Sequence, residues 1–133
     1  MENAVISEIE RDEIYTGVNT LVRVCNRLAV QGGWWHNPET GEPLARNKGE
    51  MFALMHSEIS EAMEGERKGL MDDHLPDRPS VEVELGDTVI RIGDYAGGFK
   101  HDLAGAILDK LEYNARRLDH KPENRVKAGG KKF

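Results

Sequence analysis

Two pairs of carboxylates stand out in the sequence, because each pair is spaced to share one face of a helix. Glu58 and Glu61 are three residues apart in a segment with helical periodicity, and Glu84 and Asp87 repeat that spacing later in the chain. Residues three apart are neighbours on a helix surface, where like charges repel each other. A bound cation would relieve that repulsion. Carboxylate oxygens are the hard ligands that Mg²⁺ and Mn²⁺ prefer, so the two pairs predict a divalent-cation site between packed helices.

A third group of polar side chains has a complementary charge. Lys110, Asn114 and Arg117 follow at spacings of four and three, which predicts a shared face on a later helix. Because Mg²⁺ in proteins commonly binds together with substrate phosphates, the carboxylates and this basic group predict a polyphosphate site. There the metal would shield phosphate charge and orient or activate a water, while Lys110 and Arg117 would offset charge on the phosphoryl oxygens.

Other chemistries are disfavoured by missing motifs. The sequence has no Glu-x-x-His, which argues against a ferritin-like di-iron bundle, and no His-Glu-x-x-His, which argues against a zinc protease. The single cysteine, Cys25, excludes an internal disulfide and a cysteine-rich zinc site, and it is typical of a reducing compartment. Either carboxylate pair alone would more often be a solvated helix face. The prediction therefore depends on both pairs and the basic group occurring together.

Hydrophobic periodicity indicates which elements position these residues. Apolar residues recur at helical spacing over 5–30, 48–68, 80–96 and 102–118, with glycine- and proline-rich segments between them. Asn47 and Glu50 predict a capping box for the second helix, Ser80 predicts the N-cap of the third, and Gly97-Gly98 predicts its end. No segment shows strand alternation. The sequence therefore predicts an all-α fold, with one four-helix-bundle domain over 1–118 and an irregular basic tail over 119–133.

Length and charge limit the partners. The chain has 133 residues and a formal net charge of -6, which suits one acidic domain and disfavours a nucleic-acid polymer as ligand. No apolar run approaches the ~20 residues that a transmembrane helix needs. The start, Met1–Ala4, lacks the basic and apolar regions of a secretory signal. We therefore expect a cytoplasmic protein with no membrane partner. Its dispersed apolar residues favour a homo-oligomer.

In this order, the motifs resemble the all-α nucleoside triphosphate pyrophosphohydrolases of the MazG-like superfamily, over about residues 47–117. The signature reads Glu58-x-x-Glu61, twenty-two intervening residues, Glu84-x-x-Asp87, and then Lys110-x-x-x-Asn114-x-x-Arg117. The resemblance implies Mg²⁺-dependent hydrolysis of a (deoxy)nucleoside triphosphate to the monophosphate and pyrophosphate, with Mn²⁺ as a possible substitute. It implies a homodimer or homotetramer in a bacterial or phage-infected cell. It also implies that the four carboxylates are metal ligands and catalytic residues, and that the basic group binds phosphates.

The chain departs from the family pattern at one position. Many members open the first motif with two consecutive glutamates, whereas Ser57 stands where the first of these would be. If that glutamate serves as a ligand to a second metal or as a base in the family, another residue would have to take its role in this chain. Asp94, two turns after Asp87, is a candidate auxiliary carboxylate.

Several residues allow two interpretations. Trp34 and Trp35 could anchor a core or a dimer interface, or they could form a platform on which a nucleobase stacks. Asn47 and Lys48 could be a helix cap and a surface lysine, or they could contact the base or a phosphate.

Two other functions are compatible with the pattern. A phosphoribosyl-ATP pyrophosphohydrolase would make the same cut in a different substrate. A non-catalytic helical interaction module would use the tryptophans as an interface and leave the carboxylates as surface. Only the two enzymatic hypotheses predict that a divalent cation with a nucleotide stabilises the protein against unfolding, because a ligand that binds the folded state raises its stability.

Overall fold

The computed structural model describes residues 5–133, and within them it contains helices and no strand. The five α-helices and the short 3-10 helix are α1 Glu8–Gln31, α2 Lys48–Lys68, α3 Ser80–Gly98, α4 Leu103–Arg116, the 3-10 helix Leu118–His120 and α5 Pro122–Arg125. The predicted all-α class is confirmed. None of the described helices has the length and apolar content needed to cross a membrane. Met1–Ala4, where the sequence shows no secretory signal, lie outside the described residues.

The chain forms two compact units. One comprises Thr20–His101, and the other combines Asp102–Phe133 with the described part of residues 1–19. The first part of α1 therefore belongs to one unit and its second part to the other.

In the unit Thr20–His101, α2 and α3 pack against each other as an antiparallel pair. Gly65, near the end of α2, lies against Ser80 at the start of α3, where a Cβ on the glycine would be 2.8 Å from the serine hydroxyl. At the other end of the pair, the rings of Phe52 and Tyr95 lie 4.6 Å apart. Antiparallel pairing places the middle of α2 against the middle of α3. Both carboxylate pairs are in these middle segments.

The predicted bounds of α2 are confirmed. The side chain of Asn47 accepts a hydrogen bond of 3.0 Å from the backbone N–H of Glu50, as an N-cap residue does. The second bond of the predicted capping box, from the backbone N–H of Asn47 to the Glu50 side chain, is not formed among the described residues. Gly69 follows the last helical residue with a positive φ of 60°, a conformation that glycine adopts without steric cost.

Both predicted ends of α3 are wrong in detail. Ser80 is the first helical residue, not the N-cap, and Pro79 precedes it without a side-chain capping bond. The helix also continues through Gly97 and Gly98. The reason lies in tertiary contacts: a Cβ on Gly97 would lie 2.6 Å from the Cβ of Asn26 on α1, and one on Gly98 would lie 2.1 Å from the Trp35 ring. These glycines permit close packing.

The helical spacing of the apolar residues implies that each helix buries one apolar face, and the structure shows this only in part. Met51, Ala62 and Cys25 are buried. By contrast, four apolar residues are each between 45% and 58% exposed, namely Ile59, Met63, Leu85 and Val89. On α3 the cause is geometric, because the helix contacts α2 on the face of Arg91 and α1 on the face of Gly93. Leu85 and Val89 precede Gly93 at spacings of four along the same side of α3, but α1 contacts that side at Gly93 and Gly97, nearer the end of the helix.

The other unit is organised around α4. The Asp102 side chain caps the helix by accepting a bond of 2.9 Å from the backbone N–H of Gly105. Glu112 forms an ion pair with Arg11 of α1. The tail is more regular than predicted, because a 3-10 turn and α5 follow α4. Pro122 stands at the start of α5, where its fixed φ favours a helix and its missing N–H has no cost.

Candidate metal centre

Three of the four predicted carboxylates converge between α2 and α3. Glu58, Glu84 and Asp87 each offer one oxygen, and these atoms all lie within 4.8 Å of one another. Glu58 is buried, with 8% of its surface exposed, and the other two are partly buried. The donor set is entirely oxygen, which suits a hard divalent cation such as Mg²⁺ or Mn²⁺. The cluster could hold a metal ion.

The fourth carboxylate, Glu61, is outside this set of three and is exposed. It is still close enough to act electrostatically, because its charge contributes to raising the pKa of Glu84. Glu58 and Glu61 are both on α2, as predicted, but only Glu58 belongs to the set of three oxygens.

Arg91 supplies a positive charge at this cluster, and no role for it was predicted from the sequence. Its Nε donates a hydrogen bond of 2.9 Å to Oε1 of Glu58, and the two side chains are 40% and 11% exposed. The sequence does contain a signal for this contact. Arg91 follows Asp87 by four residues, which places both on one side of α3.

Burial and mutual repulsion shift the pKa values of the three carboxyl groups. Burial, followed by the neighbouring Glu58 and Glu61, raises the pKa of Glu84 to about 7. Burial alone would also raise the pKa of Glu58, but hydrogen bonds with Glu84 and Arg91 outweigh it and hold that pKa below its usual value. Glu58 is therefore the more acidic of the two groups, and Glu84 is the one whose pKa lies above its usual value.

Asp87 is affected by a loop residue that was not predicted as part of the site. Burial and the charge of Glu58 raise the pKa of Asp87, Arg91 opposes the increase, and Asp72 adds to it. Asp72 precedes α3, and its Oδ2 accepts hydrogen bonds of 2.9 and 2.8 Å from the backbone N–H groups of His74 and Leu75. From sequence, Asp72 was indistinguishable from an ordinary turn residue.

The raised pKa of Glu84 predicts that cation binding releases a proton near neutral pH. A metal would bind the ionised form, so its affinity should rise between pH 6 and pH 8. Without metal, the folded state holds this proton up to a higher pH than the unfolded state, whose pKa is near 4.5. The stability contribution of Glu84 should therefore fall as pH rises from about 4.5 to about 7. Calorimetric titration with Mn²⁺ in buffers of different ionisation enthalpy measures the proton release. Equal release by Glu84→Gln would contradict the assignment.

Trp35 and Asp94 form part of one polar network. Trp35 Nε1 donates a hydrogen bond of 2.8 Å to Oδ1 of Asp94, and Asn26 Nδ2 donates one of 3.1 Å to the same oxygen. The ring of Trp35 also packs edge-on against Phe99, with centroids 5.2 Å apart. Asp94 lies outside the set of three carboxylates. Its predicted auxiliary role stays a prediction.

The other residues predicted to contact a base differ in their surroundings. Trp34 is 66% exposed. Lys48 Nζ lies 4.6 Å from the centroid of the Phe99 ring, a cation–π distance, so Lys48 joins the aromatic group that contains Trp35. Asn47 caps α2. Trp34 is therefore the more exposed of the two rings, whereas Trp35 is held by several neighbours.

Lys110, Asn114 and Arg117 belong to the unit that contains α4. The ring of Tyr113 brings the two cations together, with Lys110 Nζ at 4.8 Å and Arg117 Cζ at 5.7 Å from its centroid. Arg117 lies just beyond the end of α4, not on it as predicted, and forms two hydrogen bonds with Asp119 of 3.0 and 2.6 Å. The Oδ1 atom of Asn114 is buried and has no hydrogen-bond partner among the described residues.

Comparisons with known proteins identified no relative. No family model, no curated protein and no solved structure matches this chain.

Proposed function

We propose that this protein hydrolyses a (deoxy)nucleoside triphosphate to the monophosphate and pyrophosphate, with Mg²⁺ as its cofactor and Mn²⁺ as a substitute. The observation that carries the proposal is the convergence of Glu58, Glu84 and Asp87, whose oxygens lie within 4.8 Å of one another across two helices. A MazG-like four-helix arrangement is part of the proposal. It is supported by the all-α fold and by the order of the motifs.

In the proposed reaction, water adds to a phosphorus atom and the bond between the α- and β-phosphates breaks. The products are the nucleoside monophosphate, pyrophosphate and a proton. A bound Mg²⁺ would neutralise phosphate charge and polarise phosphoryl oxygens. Glu58, Glu84 and Asp87 would hold the cation. Glu61, exposed beside this set, would accept a hydrogen bond from the attacking water and orient it.

The remaining contacts to the substrate are proposed from the predicted residues. Lys110, Asn114 and Arg117 would bind phosphates, with the Nδ2 of Asn114 as its donor. The exposed ring of Trp34 is the better candidate for stacking on a base, because Trp35 is already bonded to Asp94. The proposed partner is a single nucleotide, not a nucleic-acid polymer.

A melting scan tests whether the carboxylates bind a cation with a nucleotide. Mg²⁺ or Mn²⁺ together with a non-hydrolysable triphosphate should raise the melting temperature. Ligand at 100 times its Kd stabilises by about 2.7 kcal/mol. Asp87→Asn should lose this response, while Glu66→Gln, an exposed carboxylate of α2, should keep it. A chain that shows no response to any metal and nucleotide would instead fit the interaction module.

Replacing Arg91 should lower the free energy of unfolding most when no metal is present. Arg91→Met deletes the cation paired with Glu58 and leaves three carboxylates together, so we expect a loss of about 1–2 kcal/mol in the free energy of unfolding. Saturating Mn²⁺ should reduce that loss, because it neutralises the same carboxylates.

The control for this prediction is Arg78→Met, which removes an exposed pair with Glu82 whose side chains are 68% and 55% exposed. That change should cost at most about 1 kcal/mol, with or without metal. Denaturant titration of both variants measures the difference. An Arg91→Met loss that Mn²⁺ leaves unchanged would contradict the shared-charge account.

We also propose that the protein is a homo-oligomer, a dimer or a tetramer. The support is the apolar surface of Ile59, Met63, Leu85 and Val89, each about half exposed. Light scattering after size exclusion should give a multiple of the chain mass, 14.9 kDa. Met63→Glu should shift the protein toward the monomer, because a charge cannot be buried in an apolar interface without a partner. A monomeric wild type would contradict this part of the proposal.

A further inference from the structure

Positive charge is concentrated at the end of the chain. Residues 116–133 contain seven of the protein's 18 Lys and Arg but only two of its 24 Asp and Glu. In an acidic protein, this separation of charge makes the segment an attractive region for anions.

Three cations of this segment are held by neutral groups. Arg125 donates through Nε and Nη2 to the carbonyls of Lys131 and Lys132, at 3.2 and 3.1 Å. Lys131 Nζ lies 2.9 Å from His120 Nε2, and Lys127 Nζ donates to the side-chain carbonyl of Asn124 at 3.1 Å. Neutral acceptors fix the positions of these cations without cancelling their charge.

Glycines make this arrangement possible. Gly129 has a φ of 77°, which favours glycine, and a Cβ on Gly130 would lie 2.5 Å from the carbonyl oxygens of Asn124 and Arg125. The tail can therefore pass directly over α5 and bring Lys131 to His120. We name residues 118–132, folded in this way, the C-terminal basic loop.

The C-terminal basic loop forms a cleft of about 310 Å³ that is open to solvent. Its lining is formed by Leu118, Asp119, Asn124, Gly129, Gly130 and Lys131. Asp119 is the one carboxylate of this lining, and Arg117 is paired with it. Glu123 is exposed and forms no ion pair among the described residues. Residues 118–132 contain five Lys and Arg and only two carboxylates, Asp119 and Glu123, so the loop has a net positive charge even though the charge of Glu123 is unpaired.

We propose that the C-terminal basic loop is a binding site for the di- or triphosphate group of a small molecule. Several fixed cations beside one cleft favour a ligand with several negative charges over a single carboxylate or phosphate. Lys131 and His120 would be the direct donors, and Arg125 would hold the loop and add charge. The site uses none of the carboxylates of α2 and α3, so it does not depend on the proposed reaction.

The pKa of His120 can report whether an anion binds at the loop. Partial burial and the charges of Arg117, Lys131 and Arg125 lower the pKa of His120, and Asp119 opposes them. A bound polyphosphate would reverse the sign of the nearby charge, so it should raise the pKa of His120.

The experiment is an NMR titration of the histidine rings in the full chain, with chelator present, using pyrophosphate as the probe. The His120 ring signals should move and its pKa should rise. Lys131→Gln should weaken pyrophosphate binding about tenfold, the usual loss for one hydrogen bond to a charged group. Lys68→Gln makes the same change of charge on α2 and should leave the affinity unchanged. Asp87→Asn should keep the full response, which separates this site from the proposed reaction.

Three results would overturn the proposal. The first is a His120 signal that pyrophosphate does not move, or an affinity that Lys131→Gln does not change. The second is inorganic phosphate binding as tightly as pyrophosphate. The third is displacement of pyrophosphate by a single-stranded oligonucleotide at equal phosphate concentration, which would make the loop a nucleic-acid surface. A non-hydrolysable nucleoside triphosphate that binds more tightly than pyrophosphate would support the proposal and identify a nucleotide as the source of the phosphates.

Discussion

Replacing Asp87 by Asn is expected to reduce metal-dependent release of pyrophosphate by at least about 100-fold. Residues that only support metal ligands already cost 10- to 100-fold when they are changed, so loss of a ligand should cost at least as much. Asp87 is one of three carboxylates whose oxygens lie within 4.8 Å of one another. An amide keeps the shape of the side chain but lacks the charge that binds a divalent cation. Initial rates over a range of Mg²⁺ concentrations measure the effect.

Two companion variants make this expectation specific. Glu58→Gln should produce a similar loss, because Glu58 belongs to the same set on the opposite helix. Glu66→Gln, on α2 but outside the set, should retain the wild-type rate. If Asp87→Asn and Glu58→Gln both remained active at ordinary Mg²⁺ concentrations, the assignment of the metal centre would be wrong.

Replacing Gly97 by Ala should destabilise the protein by about 1–3 kcal/mol, the range for overpacked contacts. The added Cβ would lie 2.6 Å from the Cβ of Asn26 and 3.1 Å from the carbonyl oxygen of Val22. Neither atom can rotate away, because one is fixed to the backbone and the other belongs to it. The strain must therefore separate α1 from α3. Thermal and denaturant unfolding measure the loss.

Gly86 provides a matched control on the same helix. A Cβ at Gly86 meets nothing within 4 Å, so Gly86→Ala should stabilise the protein by about 0.5–1 kcal/mol through helix propensity alone. The two substitutions are chemically identical and are expected to have opposite signs. A stabilising Gly97→Ala would contradict the close approach of α1 and α3.

Local sequence signals were sufficient for α2 and for the all-α class. The cap at Asn47, the αL glycine at Gly69 and the helical period all act within a few residues of one another, and the structure has the bounds that they predict. The two carboxylate pairs were also readable, because a spacing of three fixes a shared helix face.

Features that depend on contacts between distant parts of the chain could not be predicted from local sequence signals. Gly97 and Gly98 have the appearance of a helix end, and only the contacts with Asn26 and Trp35 show why α3 continues through them. The ion pair of Arg91 with Glu58 joins residues that are 33 positions apart in the sequence. The local spacing places Arg91 on the side of Asp87, but it does not identify Glu58 as the partner. Whether Leu85 is buried likewise depends on which faces of α3 its neighbours cover.

The acidity of the chain has a more specific meaning once the charges are located. Three acids form one cluster between α2 and α3, where a cation would neutralise them. The basic residues are concentrated at the C-terminus, where several are held by neutral groups. The protein, whose net charge is -6, therefore has both a candidate cation site and a candidate anion site.

The most direct test of the proposed function is product analysis by phosphorus NMR after incubation with Mg²⁺ and a panel of nucleoside triphosphates, deoxynucleoside triphosphates and phosphoribosyl-ATP. We predict that at least one nucleoside or deoxynucleoside triphosphate yields its monophosphate and pyrophosphate in equal amounts, and that chelation of Mg²⁺ stops the reaction. If phosphoribosyl-ATP were the only compound hydrolysed, the protein would be a phosphoribosyl-ATP pyrophosphohydrolase, the alternative enzyme. Orthophosphate and a diphosphate as products, or no turnover of any compound, would contradict the account.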